Sequence, residues 1–528
     1  MAVQEITEAD NISGQDLAIS NTPSPVEKQQ NVANPDDPEA PSAEVSSKRQ
    51  RMSDLFTIFC AGFALISDGY QNNLMNATNV VLTHLYKEYT SYYSTQVSNA
   101  LLVGEILGQI TIGLVCDYLG RKWAILITTA LIVVGGILGT AASAGTPIGL
   151  FWFLTVARGI TGFGTGGEYP ASSVSASEAA NEHTPKQRGP VFILVTNLPL
   201  SFGGPFVLSV FLIVLNAAGA NHLNTVWRVC FGIGVIWPLS VSIALASFFA
   251  IANRNQVFYF RWKMLNSKLY RRGAIKKRVP YKLVIRYYWK TLIGTSGAWF
   301  LYDFVTFPNG IFSGLIISSV VKTKDIQTTI EWTLLLGSLA LPGVFIGAFL
   351  CNRIGRKYTM MVGFSGYLIF GLIVGLAYDQ VTKIVPLFVV LYGLMQSSGN
   401  LGPGDMLGLL SSEAYATSVR GTCYGISAAL GKVGAAVGTE AFTRIQDNLG
   451  KRWTFIISAI AGISGILVTW FFIPNISGED LQKGDEKFRE YLVANGWDGT
   501  MGEDDLQAPA AKGISEEVVE ELNEGKTT

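Results

Sequence analysis

Apolar residues collect in twelve long runs along the chain, and short polar segments separate these runs. Each run has about 20 residues or more, which is the length that a helix needs to cross the hydrocarbon layer of a bilayer. The runs cover residues 55–75, 96–116, 123–142, 148–170, 190–215, 226–250, 292–320, 332–351, 358–378, 385–411, 421–444 and 453–473. The pattern predicts an all-α membrane protein with twelve transmembrane helices, which are numbered as spans one to twelve.

The composition supports this class of protein and narrows its function. Of the 528 residues, 49% are hydrophobic and 15% are charged, and the 56 glycines are typical of closely packed membrane helices. Lys plus Arg and Asp plus Glu number 39 each, so no net positive field indicates a nucleic-acid partner. The five cysteines lie apart and form no metal-type pair. No metal or other cofactor is expected.

The distribution of charge predicts the topology. Residues 252–290 form a basic linker between spans six and seven, and the stretch from Arg254 to Lys290 holds twelve Lys or Arg and no acid. Such loops stay in the cytoplasm, and an even number of spans puts both termini on that same side. Residues 1–54 are rich in Ser, Pro, Asn and acids, and residues 474–528 are acidic. Both tails are therefore expected to be disordered and cytoplasmic.

The two halves of the chain repeat each other. Three pairs of identical residues stand 235 positions apart, namely Asp68 and Asp303, Gly120 and Gly355, and Glu178 and Glu413. Three matches at one offset indicate a duplication. Two six-helix halves, residues 55–251 and 291–473, are therefore expected to enclose a central cavity near the middle of the membrane. The repeat makes Asp68 and Asp303 counterparts that line this cavity.

A loop motif occurs once in each half. The segment GLVCDYLGRK of the first half, with Asp117, resembles the loop signature of the major facilitator superfamily. In the second copy, NRIGRK, Asn352 stands in place of the acid. The resemblance implies a major facilitator fold that opens alternately to the two sides of the membrane. We assign conformational gating to six residues, which are Asp117, Gly120, Arg121, Arg158, Asn352 and Arg356.

Three further segments resemble one family of that superfamily, the phosphate:proton symporters. They are ARGITGFGTGGEYPASSVSASE in span four, WFLYD in span seven and SAALGKVGA in span eleven. The longer segment WFLYDFVTFPNGIFSG is similar to the glycerophosphoinositol and glycerophosphodiester permeases of yeasts, which belong to the same family. The resemblance extends over about residues 55–473.

Lys432 lies in the apolar, glycine-rich run AALGKVGAAVG of span eleven. An ammonium group at this depth needs an anionic partner, which is either a fixed carboxylate or a transported anion. The resemblance implies that Lys432 contacts the substrate anion, as the matching Lys does in the phosphate symporters. A structural ion pair with Asp68 is the alternative. The two roles are compatible, because such a pair can break when the substrate arrives.

Acids inside the spans are the candidates for proton coupling, and they are Asp68, Glu168 and Asp303. Carboxyl groups at this depth are costly, so they usually handle ions or substrate. Glu168 and Tyr169 stand where the phosphate symporters have Asp-Tyr, with an acid that is one methylene longer. A purely structural role is the alternative for Glu168, which would then balance Arg158.

Substrate binding is assigned to eight residues, seven at positions matched by the resemblance and Glu105 as a departure from it; they are Glu105, Tyr169, Asn197, Trp299, Asp303, Phe307, Asn400 and Lys432. Three of them depart from the phosphate pattern: Phe307 replaces a Tyr that helps to hold phosphate, Asn197 replaces a Gln, and Glu105 replaces a small residue. A donor is lost, space is gained and a carboxylate is added. These changes favour a substrate larger than phosphate that carries hydroxyl groups. Pairing of Glu105 with a neighbouring helix is the structural alternative.

Two proline-containing segments are expected to shape the cavity. Pro308 and Asn309 are expected to break span seven and to free backbone groups toward the cavity. In span ten, NLGPGD resembles the NFGPN segment of the phosphate symporters, with Gly404 and Asp405 in place of an Asn and a Thr.

The sequence therefore predicts a proton symporter that imports a glycerophosphodiester, with glycerophosphoinositol as the expected substrate, across the plasma membrane. Its expected partners are a small anionic substrate, a proton and the lipid bilayer, and the chain is expected to act as a monomer. An inorganic phosphate:proton symporter is the closest alternative, although Tyr at position 307 and Asp at position 168 would then be expected. A nutrient receptor that binds without transporting also stays open. The absence of a PESPR-type motif after span six disfavours a sugar facilitator, and the absence of a nucleophile–base pair disfavours an enzyme.

Overall fold

The computed structural model describes residues 65–119, 121–183, 187–250, 280–321, 325–476 and 481–497. The expected N-terminal tail, the first ten positions of span one and most of the basic linker lie outside the described residues. Within these ranges the chain is helical and has no β-strand, as the sequence predicts.

Six helices form the first half. They are α1 (Leu65–Leu85), α2 (Ser91–Leu119), α3 (Arg121–Ala141), α4 (Pro147–His183), α5 (Arg188–Ala218) and α6 (Leu223–Ala250). Two of them continue ten residues or more past the predicted ends of their spans, since α1 reaches Leu85 and α4 reaches His183. In α1, two polar residues beyond the apolar run are buried and bonded to other helices, Asn76 to Ser313 at 2.8 Å and Asn79 to Ser98 at 3.3 Å. Hydropathy falls there although the helix continues.

The second half follows the linker. Its helices are α7 (Tyr281–Val320), α8 (Ile326–Arg353), α9 (Arg356–Leu376), α10 (Val385–Gly399), α11 (Asp405–Glu413), α12 (Arg420–Leu449) and α13 (Arg452–Phe472). A single helical turn, Tyr378–Val381, precedes α10, and a π-helical turn, Asn400–Gly404, joins α10 to α11 to complete the tenth span. The last ten residues of the predicted linker, 281–290, already belong to α7.

Length and hydropathy suffice for membrane crossing in seven helical segments of the described residues. These are Ser91–Leu114, Pro147–Tyr169, Arg188–Ala218, Tyr281–Val320, Ile326–Arg353, Arg356–Leu376 and Arg452–Phe472. Helices α1 and α12 are outside this set; both carry many polar residues, several of which are buried between helices.

The expected break in span seven is wrong. Helix α7 continues through Pro308 without interruption. The side chain of Asn309 donates to the carbonyl of Val305 at 2.7 Å, and Tyr392 donates to Asn309 Oδ1 at 2.7 Å. These bonds satisfy polar groups next to the proline, so the helix tolerates it. Irregular backbone occurs instead in span ten, where Pro403 lies within the π-helical turn, a feature that is frequent at functional sites.

A further helix lies in the tail that the sequence predicts to be disordered. Helix α14 (Leu481–Ala494) covers part of residues 474–528. Its Phe488 and Leu492 are fully buried in a cluster with Tyr288 of α7 and with the segment between α11 and α12. The hydrophobic face of this short helix is therefore covered, and burial of apolar surface stabilises it despite the acidic composition of the tail.

Helices α2 and α12 run antiparallel and join the two halves over most of their length. At one end Thr95 and Thr443 are hydrogen-bonded at 2.8 Å. At the other end, a Cβ on Gly113 would lie 3.4 Å from the Gly421 carbonyl oxygen, so the backbones approach closely there. Lys432 lies between these two contacts on α12. The halves therefore touch on both sides of the level of Lys432.

Candidate functional site

The ammonium group of Lys432 is the centre of a buried polar cluster between the two halves. Its Nζ atom lies 2.9 Å from Oε2 of Glu105 on α2 and 3.7 Å from the centre of the Phe307 ring on α7. A carboxylate and an aromatic face are both favourable neighbours for a desolvated cation. The direct ion-pair partner of Lys432 is thus Glu105, whereas the structural pair considered from the sequence involves Asp68.

Asp68 on α1 reaches the same cluster from the first half. Its Oδ1 atom accepts a hydrogen bond from Asn72 Nδ2 at 2.6 Å, and its carboxyl group interacts electrostatically with that of Glu105. Asp68 and Glu105 thus bring two carboxyl groups of the first half to the ammonium of Lys432.

Asp303 on α7 reaches the cluster from the second half. The side chain is 2% exposed and interacts electrostatically with Lys432. Its Oδ2 atom lies beside Gly431, where a Cβ would come within 3.1 Å of it. No donor among the described residues reaches that oxygen. The two repeated acids, Asp68 and Asp303, are thus brought to one Lys from opposite halves.

An aromatic cluster adjoins these charges. The ring of Tyr169 on α4 lies 6.1 Å from that of Trp299 and 5.9 Å from that of Tyr424, and Trp299 and Tyr424 are 5.6 Å apart. Sequence reasoning missed Tyr424, although it lies two turns before Lys432 on the same helix. Glu168, next to Tyr169, is buried and interacts electrostatically with Asp68.

A second polar group lies around span ten. Asn197 on α5 donates to Oδ1 of Asp405 on α11 at 2.6 Å. Asn400 in the π-helical turn donates to the Ala340 carbonyl at 3.0 Å and accepts from the Tyr302 hydroxyl at 3.4 Å. Sequence reasoning did not assign Asp405 to the site, although an acid within the tenth apolar run was the available signal. These groups offer hydrogen-bond donors and acceptors.

Of the residues assigned to gating, those of the second half lie at one end of the interface between the two halves. Arg356 Nε lies 3.2 Å from Glu413 Oε2, and Arg188 Nε of α5 lies 2.9 Å from Glu413 Oε1. Asn352 accepts a hydrogen bond from Arg356 at 3.2 Å. The carboxylate of Glu413 therefore links the first half to the second. Gly120 and the side chains of Asp117 and Arg121 lie outside the described residues.

Arg158 lies elsewhere in the first half, on α4. Its guanidinium group is buried and donates to the backbone carbonyl of Gln71 on α1 at 3.0 Å. It also interacts electrostatically with Glu105. Arg158 therefore ties α4 to α1 and adds a positive charge near the central acids.

Comparisons with known proteins agree with this architecture. Residues 55–488 match the family described as "Sugar (and other) transporter". The chain is 55% identical to "Glycerophosphoinositol permease 1" of Candida albicans over 479 residues, which are 89% of each chain. It is 53% identical to "Glycerophosphoinositol transporter 1" of Saccharomyces cerevisiae over 464 residues, or 87% of this chain and 86% of that protein.

Among solved structures, the proton:xylose symporter XylE superposes with a TM-score of 0.63 at 16% identity, covering 84% of this chain and 99% of that one. At this identity the likeness concerns the fold alone. The predicted major facilitator fold of two six-helix halves is confirmed, as is the resemblance to glycerophosphoinositol permeases of yeasts.

Proposed function

Because the chain belongs to the sugar (and other) transporter family of the major facilitator superfamily, we propose that it imports glycerophosphodiesters, with glycerophosphoinositol as the principal substrate, in symport with protons. The chain is a multi-pass membrane transporter and not an enzyme, since its relatives across most of its length are permeases and transporters. The substrate, the coupled ion and the plasma membrane as its location are parts of the proposal.

The observation that carries the proposal is the buried ion pair between Lys432 and Glu105. The ammonium lies between two halves that move relative to each other in this fold, and its partner comes from the other half. An anionic phosphodiester oxygen can take the place of the Glu105 carboxylate at Nζ. The pair then serves as a binding site for the phosphodiester.

The polar group around span ten supports a substrate with hydroxyls. Asn197, Asn400 and Tyr302 present amide and phenol groups, and the Oδ2 atom of Asp405 has no donor among the described residues. Carboxylate and amide oxygens are good acceptors for hydroxyl groups. We assign the phosphodiester to the Lys432 side of the cavity and the glycerol or inositol hydroxyls to this side.

Proton coupling offsets the energetic cost of importing an anion. A phosphodiester carries one negative charge near neutral pH, and moving one charge against the membrane potential costs about 2.3 kcal/mol per 100 mV. A proton that enters with each anion cancels this cost. Asp68, Glu168 and Asp303 are buried acids close to the anion site and are suited to carry it.

Uptake measurements test the proposal. We expect a yeast strain without its own permeases to take up labelled glycerophosphoinositol when it expresses the chain. Uptake should fall as external pH rises and collapse with a protonophore. Unlabelled glycerophosphocholine and glycerol 3-phosphate should compete better than inorganic phosphate, and the reverse order would favour a phosphate symporter. Counterflow in vesicles separates a transporter from a receptor that only binds.

A further inference from the structure

We infer that Glu105 is the carboxyl group that exchanges the coupled proton: it holds Lys432 before substrate binds and takes up a proton when the phosphodiester displaces it. The inference rests on the proposed function. It gives Glu105 a role in coupling, whereas the sequence assigns it to contacts with substrate hydroxyls.

Charged and polar groups from four helices surround Glu105. Its Oε1 atom accepts a hydrogen bond from Thr165 on α4 at 3.4 Å, and the backbone of α4 lies close by, since a Cβ on Gly166 would overlap the Glu105 backbone. The titratable and charged groups that face it are Asp68 on α1, Arg158 on α4, Asp303 on α7 and Lys432 on α12, and Glu168 lies beyond Asp68.

Direct contact with the ammonium distinguishes Glu105 from the other acids. Among the described residues, Glu105 is the carboxylate at ion-pair distance from Lys432, whereas Asp68 and Asp303 act on it over a longer range. Phe307 covers another side of the ammonium with an aromatic face that offers no hydrogen-bonding atom. A phosphodiester oxygen that binds Nζ therefore competes with the Glu105 carboxylate for the same ammonium.

Displacement creates the need for a proton. Once the phosphodiester occupies Lys432, the Glu105 carboxylate has lost its counterion in a buried site, where an unpaired charge is costly. Proton uptake by Glu105 neutralises the displaced carboxylate, and the charge of the cluster, with the bound substrate counted, is then the same before and after binding.

Each transport cycle carries one proton together with one monoanionic substrate. On the side where substrate enters, Lys432 exchanges Glu105 for a phosphodiester oxygen, and one proton from that side binds to the displaced Glu105 carboxylate. On the other side the substrate leaves, the proton is released, and Glu105 returns to Lys432. No bond other than hydrogen bonds and the proton's own bond changes.

The test is an uncoupling experiment on the full-length protein in vesicles. Glu105→Gln keeps the shape and one acceptor oxygen of the side chain but cannot bind a proton. For wild type with one proton per anion and the potential clamped at zero, accumulation of glycerophosphoinositol should change about tenfold for each unit of pH difference. In Glu105→Gln we expect no accumulation at any pH difference, while counterflow of labelled substrate continues at a reduced but measurable rate.

Two controls accompany this variant. Glu440→Gln removes a partly exposed acid of α12 that pairs with Arg444, and it should behave as wild type. Glu105→Asp retains a titratable group at a shifted distance, so coupling should persist with a displaced pH midpoint of uptake.

Several results would overturn the inference. Accumulation by Glu105→Gln that still follows the pH difference would do so, as would loss of coupling in Glu440→Gln. If Glu105→Gln reaches the cell surface normally but shows no counterflow, Glu105 is a substrate-binding residue instead of the proton carrier. If Glu105→Gln does not reach the membrane, a wild-type pH midpoint in Glu105→Asp decides against the inference. Wild-type uptake that ignores pH and protonophores would instead remove the proposed symport itself.

Discussion

The ammonium of Lys432 and the ring of Phe307 are stacked, with 3.7 Å between Nζ and the ring centre. The phosphate symporters that the chain resembles have a Tyr at this position, whose hydroxyl helps to hold phosphate. Here the ring stabilises the cation through its face alone. The site therefore keeps a charged Lys but lacks one donor to a small tetrahedral anion.

Phe307→Tyr should shift selectivity toward inorganic phosphate. A regained hydrogen bond to a charged group is worth about 1.5–3 kcal/mol, which corresponds to roughly a ten- to hundredfold gain in affinity. Uptake of labelled phosphate and of glycerophosphoinositol, measured in the same cells and normalised to surface protein, gives the ratio. Phe300→Tyr is the matched control, because Phe300 lies two turns earlier on α7 and stacks on Phe304 instead. An unchanged ratio in Phe307→Tyr would show that this ring does not face the anion.

Lys432→Ala should abolish uptake without loss of surface protein, because it removes the cation of the site. Lys432→Arg should recover little, since a planar guanidinium does not replace a compact ammonium between a carboxylate and a ring. The matched control is Lys451→Ala, in the loop after α12, where Nζ donates to the Leu315 carbonyl at 3.1 Å. Normal transport by Lys432→Ala would refute the anion site.

Part of this site was predictable because it follows from residue positions along the chain. The repeat paired Asp68 with Asp303, and the lone cation in an apolar run singled out Lys432. The partner of Lys432 depends instead on how far α2 is shifted along α12. Close backbone contacts such as Gly113 against Gly421 set this register, and no local pattern reveals it.

Two expectations failed for a related physical reason. A proline is expected to break a helix, yet α7 passes Pro308 because Tyr392, 83 residues further along the chain, bonds the adjacent Asn309. An acidic tail is expected to be disordered, yet α14 forms because a distant surface covers its Phe488. In both cases tertiary contacts determine whether the helix forms, and the local sequence gives no information about those contacts.

Phe488→Ala should detach α14 from the rest of the protein. The ring is fully buried among residues of α7 and the α11–α12 segment, and removing such a side chain costs about 3–5 kcal/mol. Lys487 and Arg489 should then become sites of rapid tryptic cleavage. Glu490→Ala, an exposed position of the same helix, should leave the cleavage rate unchanged. Equal rates in the two variants would mean that Phe488 does not hold the helix in place.

Asp485→Ala probes the polar side of the same contact. The carboxylate accepts hydrogen bonds from the backbone N–H and the hydroxyl of Thr417, each at 2.6 Å. The loss of two charge-assisted bonds should raise the tryptic cleavage rate of α14, but less than Phe488→Ala does, because the apolar contact remains. A larger effect for Asp485→Ala would show that hydrogen bonds hold the helix more strongly than burial.

Arg188→Ala should open one end of the interface between the two halves. Glu413 bonds Arg188 of α5 at 2.9 Å and Arg356 of α9 at 3.2 Å, so the first bond crosses the halves and the second does not. Removing both cations would leave the buried Glu413 carboxylate without a counterion, which would lower the stability of the protein by about 3–5 kcal/mol. Arg188→Ala leaves Arg356 in place, so the fold should survive while the link between the halves is lost.

The native thiol of Cys351 reports this opening. It is fully buried on α8 beside Gly189 of α5, where a Cβ would lie 3.1 Å from Sγ. In Arg188→Ala we expect a maleimide to label Cys351 several-fold faster than in wild type, whereas the buried Cys230 of α6 should react as before. Arg353→Ala, an exposed neighbour of Cys351 that stacks on Phe349, controls for local effects on α8. Equal labelling of Cys351 in wild type and Arg188→Ala would mean that the Arg188–Glu413 bond does not hold this end closed.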